Sequence, residues 1–143
     1  MSHKTVLKNL IEENNIKVMC EVGVCRGALC RSLLKNVGNL IEEYWAIDPW
    51  QHMGPGHGKS SRYSYDRWED LYLRNCERML HHKQLHMIRS FSETAVRIFP
   101  DNYFDFVYID ASHQYEGVSA DIRLWHPNVK QGGLLGGHDY YEK

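Results

Sequence analysis

The chain has 143 residues, a length that suits one domain around one hydrophobic core. Apolar residues make up 43%, and 17 basic side chains nearly balance 18 acidic ones. A net charge of −1 speaks against a broad basic surface for nucleic acid or an anionic membrane.

No apolar run approaches the length that spans a bilayer. The start, M-S-H-K-T, lacks the apolar core of a signal peptide. Cys20, Cys25, Cys30 and Cys76 contain no C-x-x-C pair, which argues against zinc. A reduced, cytoplasmic protein is expected, with Cys20 as a small buried hydrophobe. No repeat, low-complexity tract or linker interrupts residues 1–143, so they read as a single domain.

Residues 4–15 place Val6, Leu7, Leu10 and Ile11 on one helical face, and Asn14 and Asn15 end it. Val18, Met19, Cys20, Val22 and Val24 then read as a strand buried on both faces, as in a parallel sheet. Gly23 and Gly27 mark a sharp turn that lets something approach closely, and residues 28–35 read as a helix. Strand, glycine turn and helix open a nucleotide-type α/β domain, with the ligand at the helix N-terminus. The spacing is G-x-x-x-G rather than G-x-G-x-x-G, and an ordinary strand–helix corner would carry the same residues.

Residues 43–48 form the second strand, which ends on Asp48. Asp48 follows Gly23 by 25 residues, near the spacing at which an acid meets ribose hydroxyls. A strand-end Asp that starts a turn with Pro49 is the alternative. Residues 50–65, with Gly54, Pro55, Gly56 and Gly58, read as a long loop of the lid or binding type. Gly58-Lys59-Ser60 imitates a phosphate-binding motif, but Met53 stands where its first glycine is required. Residues 65–80 read as a helix with Trp68, Leu71, Tyr72, Met79 and Leu80 as its apolar positions. His81, His82 and His86 read as surface histidines near its end.

Residues 85–89 form a short third strand. Ser90-Phe91-Ser92-Glu93 reads as a capping box with Ser90 as N-cap, opening a helix that runs to Ile98 and closes at Pro100. Residues 104–109 form strand four, which ends in Asp110. After A-S-H-Q-Y-E-G comes a helix with Val118, Ile122 and Trp125 on one face, stopped by Pro127. Gly132 and Gly133 turn the chain into a fifth strand over residues 134–136, followed by Gly137-His138-Asp139-Tyr140.

Alternating strands and helices with right-handed crossovers give an α/β, Rossmann-like parallel sheet of order 3-2-1-4-5. Ligands of such sheets sit at the carboxyl ends of the strands. Those ends carry Glu21 and Gly23, Asp48, Ser90, Asp110 and His113, and His138 and Asp139. Five strands that each finish on a polar group point to a site.

The stretch E21-V-G23-V-C-R-G27 is similar to motif I of the class I S-adenosylmethionine-dependent methyltransferases, and Asp48 matches their strand-two acid. The pair D110-A-S-H113-Q-Y-E-G-V-x-x-D121-I-x-x-W125 and G132-G-L-L-G-G-H138-D139-Y140 is more specific. It resembles small metal-dependent O-methyltransferases, including those that act on macrolide sugars. The resemblance covers residues 18–141. It implies that Glu21, Gly23 and Gly27 line the methionine moiety of S-adenosylmethionine, that Asp48 holds the ribose and that Ser90 lies near the adenine. Asp110 would touch the cofactor and, with Asp139, ligate a divalent metal, most simply magnesium. His113 would be the general base, with His138 as the alternative. In the metal-dependent relatives a second carboxylate follows the strand-five Asp, where this chain has Tyr140. The family sheet also continues to seven strands, so this chain reads as truncated. Its fifth strand would be an exposed edge that invites pairing with another copy.

The chemistry fits these residue types. Methyl transfer from a sulfonium is an in-line displacement in which alignment dominates. An imidazole can take the acceptor's proton, and a divalent ion held by carboxylates can lower the pKa of a hydroxyl. The acceptor that the resemblance implies is a small hydroxylated molecule, such as a sugar. Two competing readings remain: a non-catalytic S-adenosylmethionine-binding module, and a nicotinamide-dependent oxidoreductase. The G-x-x-x-G spacing and the D-x-x-H element argue against the second.

Overall fold

Periodicity and turn residues divide the chain into alternating elements, and the computed structural model describes them over residues 2–52, 62–112 and 114–138. In order they are α1 (His3–Glu13), β1 (Val18–Val22), α2 (Ala28–Val37), β2 (Glu43–Asp48), α3 (Tyr65–Met79), β3 (Leu85–Arg89), α4 (Ser92–Ala95), β4 (Phe104–Ile109), α5 (Tyr115–Trp125) and β5 (Val129–Gly137). Single 3-10 turns, Val96–Ile98 and His126–Asn128, extend α4 and α5. The strands are all parallel and lie in the order β3-β2-β1-β4-β5, as expected. Among the described residues no helix is long and apolar enough to cross a membrane, and all four cysteines are free.

Each face of the sheet has its own core, because alternate side chains of a strand point to opposite faces. Met19, Tyr44, Ala46, Phe106 and Tyr108 meet α1, α2 and α3 through Leu7, Ile11, Leu33 and Trp68. Cys20, Val22, Ile47, Val107 and Ile109 meet α4 and α5 through Ala95, Val96, Phe99 and Trp125. Each fully buried aliphatic or aromatic side chain here contributes about 1.5–3 kcal/mol. Ser2 caps α1 and Ser64 caps α3, each accepting from a backbone N–H three residues on. The winding direction reverses between β1 and β4, so the crevice of the sheet opens at their carboxyl ends.

Three local expectations are corrected. The capping box at Ser90 does not form. Ser90 N–H donates to the Asp48 carbonyl, continuing the β2–β3 ladder by one residue, while its Oγ turns to the Phe91 carbonyl. The helix begins two residues later, with Phe91 at the N-cap position. On α5 the buried pair is Asp121 and Trp125, whereas Ile122 is 43% exposed. Asp121 goes inward because Ser92 supplies a donor there. Finally, Gly132 and Gly133 lie inside β5. Gly132 takes φ +81°, and the β4 pairing shifts register between Phe104 and Phe106, so the glycines form a bulge.

Asp105 ties three strands at the opposite end of the sheet. Its Oδ2 accepts from the Lys17 and Val18 backbone N–H groups at 2.9 and 2.8 Å, and its Oδ1 pairs with Lys130 Nζ at 2.7 Å. Asp105→Ala leaves these donors without their carboxylate. It is expected to lower stability by about 1–3 kcal/mol, read as a lower urea midpoint with an unchanged slope.

Candidate functional site

The site is built on the turn that leaves β1. Gly23 takes φ +96°, and a Cβ there would lie 2.3 Å from the Asp110 carbonyl oxygen. Only glycine lets the β1 and β4 ends approach this closely. Gly27 starts α2 at φ +65°, where a Cβ would meet Asn75 Oδ1 at 2.6 Å. Between them Cys25 is held at φ +46°.

Asp48 enforces that shape. Its Oδ2 accepts from the Val24 and Cys25 backbone N–H groups at 2.9 and 2.8 Å, and its Oδ1 accepts from Trp50 N–H at 2.7 Å. Burial raises this carboxyl above its ordinary range, and the three donors offset part of the rise. A carboxylate offers about four lone-pair positions, and three are filled. One position is left for an outside donor. The loop is braced further at the Cys25 carbonyl, which accepts from Trp50 Nε1 at 3.0 Å and Asn75 Nδ2 at 2.8 Å. Burial also pushes the Cys25 thiol up to about 11, which keeps it neutral and unreactive.

Glu21 faces α2 and is buried, with the Tyr44 hydroxyl donating to its Oε2. Burial pushes its carboxyl up to about 8, the Tyr44 bond pulls it back, and the nearby Asp110 and Asp48 charges raise it again. Asp110 follows β4 and faces His138, with Nδ1 and Oδ1 3.7 Å apart. The His138 ring in turn meets the His3 ring edge-on at 5.2 Å, which brings the start of α1 to the site.

These groups surround a cavity of about 1040 Å3 at the strand ends, enough for a nucleoside-sized ligand and a second small molecule. Glu21, Gly23, Asp48, Ser90 and Asp110 all line it, whereas Gly27 lies off its wall between Arg26 and Ala28, which do. His113 and Asp139, the expected base and second metal ligand, lie outside the described residues, as do Tyr140 and most of the expected lid loop. Sequence reasoning missed Trp50, Asn75, Asp121 and the reach of His3. Asn75 and Asp121 carried a signal, since each is a polar residue in phase with buried apolar neighbours, Leu71 and Met79 for the one and Trp125 for the other.

Residues 20–140 match a family described as a methyltransferase domain. The chain belongs to that family. Among solved structures it is similar to a Staphylococcus aureus protein described as a caffeoyl-CoA O-methyltransferase, with 17% identity and a TM-score of 0.65, over 92% of this chain and 54% of that one. It is also similar to cofactor-bound Rv0187 from MTB, with 15% identity, a TM-score of 0.66, and 94% and 55% of the two chains covered. A methyltransferase from Geobacter sulfurreducens matches at 12% identity with a TM-score of 0.62, over 94% of this chain and 59% of that one. These likenesses show the shared fold. The chain spans a little over half the length of those structures. No curated protein matches it.

The residues present fit the cofactor that a methyltransferase domain uses. S-adenosylmethionine carries a sulfonium and an ammonium, and the cavity floor carries Glu21, Asp48 and Asp110. Its carboxylate suits the first turn of α2, which no side chain among the described residues caps. The Trp68 indole N–H on the same wall is, among the described residues, a buried side-chain donor without an acceptor. Asp139, the second metal ligand that the resemblance implies, lies outside the described residues. No group of three or more His, Cys, Asp or Glu among the described residues could hold a metal ion.

The raised Glu21 carboxyl has a consequence for stability. Its ordinary value is 4.5 and its folded value about 8, so between these pH values the folded protein holds a proton that the unfolded chain has released. Stability is therefore full below the lower value, falls as pH rises through the window and levels off above it, with a slope of up to about 1.4 kcal/mol per pH unit. Glu21→Gln removes this part of the pH dependence. The urea midpoint of the variant is expected to rise above that of the wild type between pH 5 and 9.

Proposed function

We propose that this domain binds S-adenosylmethionine in the cavity at the carboxyl ends of β1 to β4, and that it methylates a hydroxyl of a small molecule. The observation that carries the reading is the acid-floored cavity over a glycine turn that Asp48 holds open. Glu21 and the Gly23 turn would receive the methionine moiety, Asp48 one ribose hydroxyl, and Ser90 with Phe91 the adenine side.

When bound, the cofactor supplies an electrophilic methyl group on a sulfonium. The chain's own residues do the rest. The Gly23 turn and the α2 terminus orient the methionine end, and the Asp48 and Asp110 carboxylates favour a cation over water. The remaining cavity volume holds the acceptor in line with the methyl group. The acceptor's proton passes to an imidazole. His138 stands beside Asp110, whose carboxylate would steady the imidazolium; His113 is the base that the family resemblance assigns. Asp110 and Asp139 are the pair the resemblance gives to magnesium, and no step depends on it here. O-methylation is favoured by the same resemblance and by the hydroxyl-bearing acceptors that a general base suits. The edge of β5 is a proposed contact between copies of the chain.

Calorimetric titration with S-adenosylhomocysteine tests the reading. The wild type is expected to bind, and Asp48→Ala to lose at least tenfold in affinity as the turn relaxes. His113→Ala is expected to lower turnover by about 100-fold or more with cofactor affinity nearly unchanged; if His138→Ala does this instead, His138 is the base. A folded wild type that binds no S-adenosylhomocysteine contradicts the proposal.

A further inference from the structure

The cavity extends from the strand ends to the groove between α4 and α5, where Asp121 lines it. Asp121 is 8% exposed and lies one helical turn before Trp125, which is 0% exposed. A directed chain of hydrogen bonds runs between them. Trp125 Nε1 can only donate, and it donates to Ser92 Oγ at 2.8 Å. The single Ser92 hydroxyl proton is thereby directed to Asp121 Oδ1. This anchors one carboxylate oxygen, through Ser92, to a fully buried indole.

The second carboxylate oxygen is left over. Among the described residues it receives no donor, and it is not among the sealed polar atoms either, since the Trp68 indole nitrogen alone is buried without a partner. A solvent- or ligand-facing position on the cavity wall satisfies both facts. The adjacent wall carries Phe91, Ala120 and Leu124, with the Glu93 carboxylate as a second acceptor near Asp121. An oriented acceptor in such a wall selects a ligand group that donates hydrogen bonds, and it disfavours a carbonyl in the same place.

On the cofactor reading above, on which this inference rests, Asp48 marks the ribose at the end of β2. The base then extends past Ser90 and Phe91 toward α5, and its edge reaches the α4–α5 groove. We propose that Asp121 is a specificity residue that reads the exocyclic amino group of the cofactor's adenine, with Ser92 and Trp125 as the positioning residues that hold its carboxylate. The amine has two N–H donors to offer. The corresponding oxygen of a hypoxanthine base has none and would face the carboxylate as a second acceptor.

Calorimetric titration of the full chain with S-adenosylhomocysteine and with S-inosylhomocysteine tests this. The wild type is expected to prefer the adenosyl compound at least tenfold. Asp121→Asn keeps an oxygen for Ser92 and turns an amide N–H toward the base, so the preference is expected to shrink to near unity or reverse. Equal binding of both compounds by the wild type, or an undiminished preference in Asp121→Asn, overturns the assignment and leaves the cofactor reading standing. A folded wild type that binds neither compound removes the cofactor reading and the inference together. Should Asp121→Asn fail to fold, Ser92→Ala carries the test. Releasing the carboxylate from its anchor is expected to lower the preference severalfold, and an unchanged preference overturns the proposal.

Discussion

The site depends on one carboxylate and three backbone N–H groups. Asp48 closes β2 and holds the turn that follows β1 through Val24, Cys25 and Trp50. Hydrogen bonds to a charged acceptor are worth about 1.5–3 kcal/mol each. That is enough to offset the strain of Cys25 and Trp50, both at positive φ, of order 1–3 kcal/mol per residue. The turn in turn sets where α2 begins and how near β4 can come, since Gly23 lies against the Asp110 carbonyl. Cofactor pocket, helix terminus and strand crevice are therefore one mechanical unit.

Electrostatics favours a cation in the proposed cofactor site. Burial is the main cause that holds the Glu21 carboxyl up, and the nearby Asp110 and Asp48 charges add a smaller tension. A ligand with positive charge would relieve that tension, whereas the anionic pyrophosphate of a dinucleotide would add to it. The basic groups on the cavity, His3, Lys4, Arg26 and His138, come from the start of α1, the β1 turn and the end of β5. The result is an acidic floor with basic groups around it, the pattern expected for a zwitterionic, sulfonium-bearing ligand.

Much of this was legible in the sequence, for a physical reason. Strands buried on both faces must be apolar, so the polar residues that end them stand out, and Glu21, Gly23, Asp48, Ser90 and Asp110 do share a cavity. What holds them was not legible. Asp48 meets the turn across 23 and 24 residues of chain, and Asn75 meets Cys25 across 50, so no local pattern reports these bonds. Local rules also misled where tertiary contacts overrode them. The Ser90 capping box is outcompeted by the sheet ladder, and the expected inward face of α5 rotates because Asp121 finds Ser92. The polar residue within a buried stripe, at Asn75 and Asp121, was the clue available and unread.

The central claim is that the Asp48-braced turn and the β3 and β4 ends receive the cofactor. Amide NMR of the labelled chain during titration with S-adenosylhomocysteine tests it most directly. The account predicts that the largest shifts fall on residues 21–28, 48–51, 90–92 and 110–112, with little change around Asp105 at the opposite end of the sheet. Shifts concentrated elsewhere, or none in the turn of a folded protein, would contradict it.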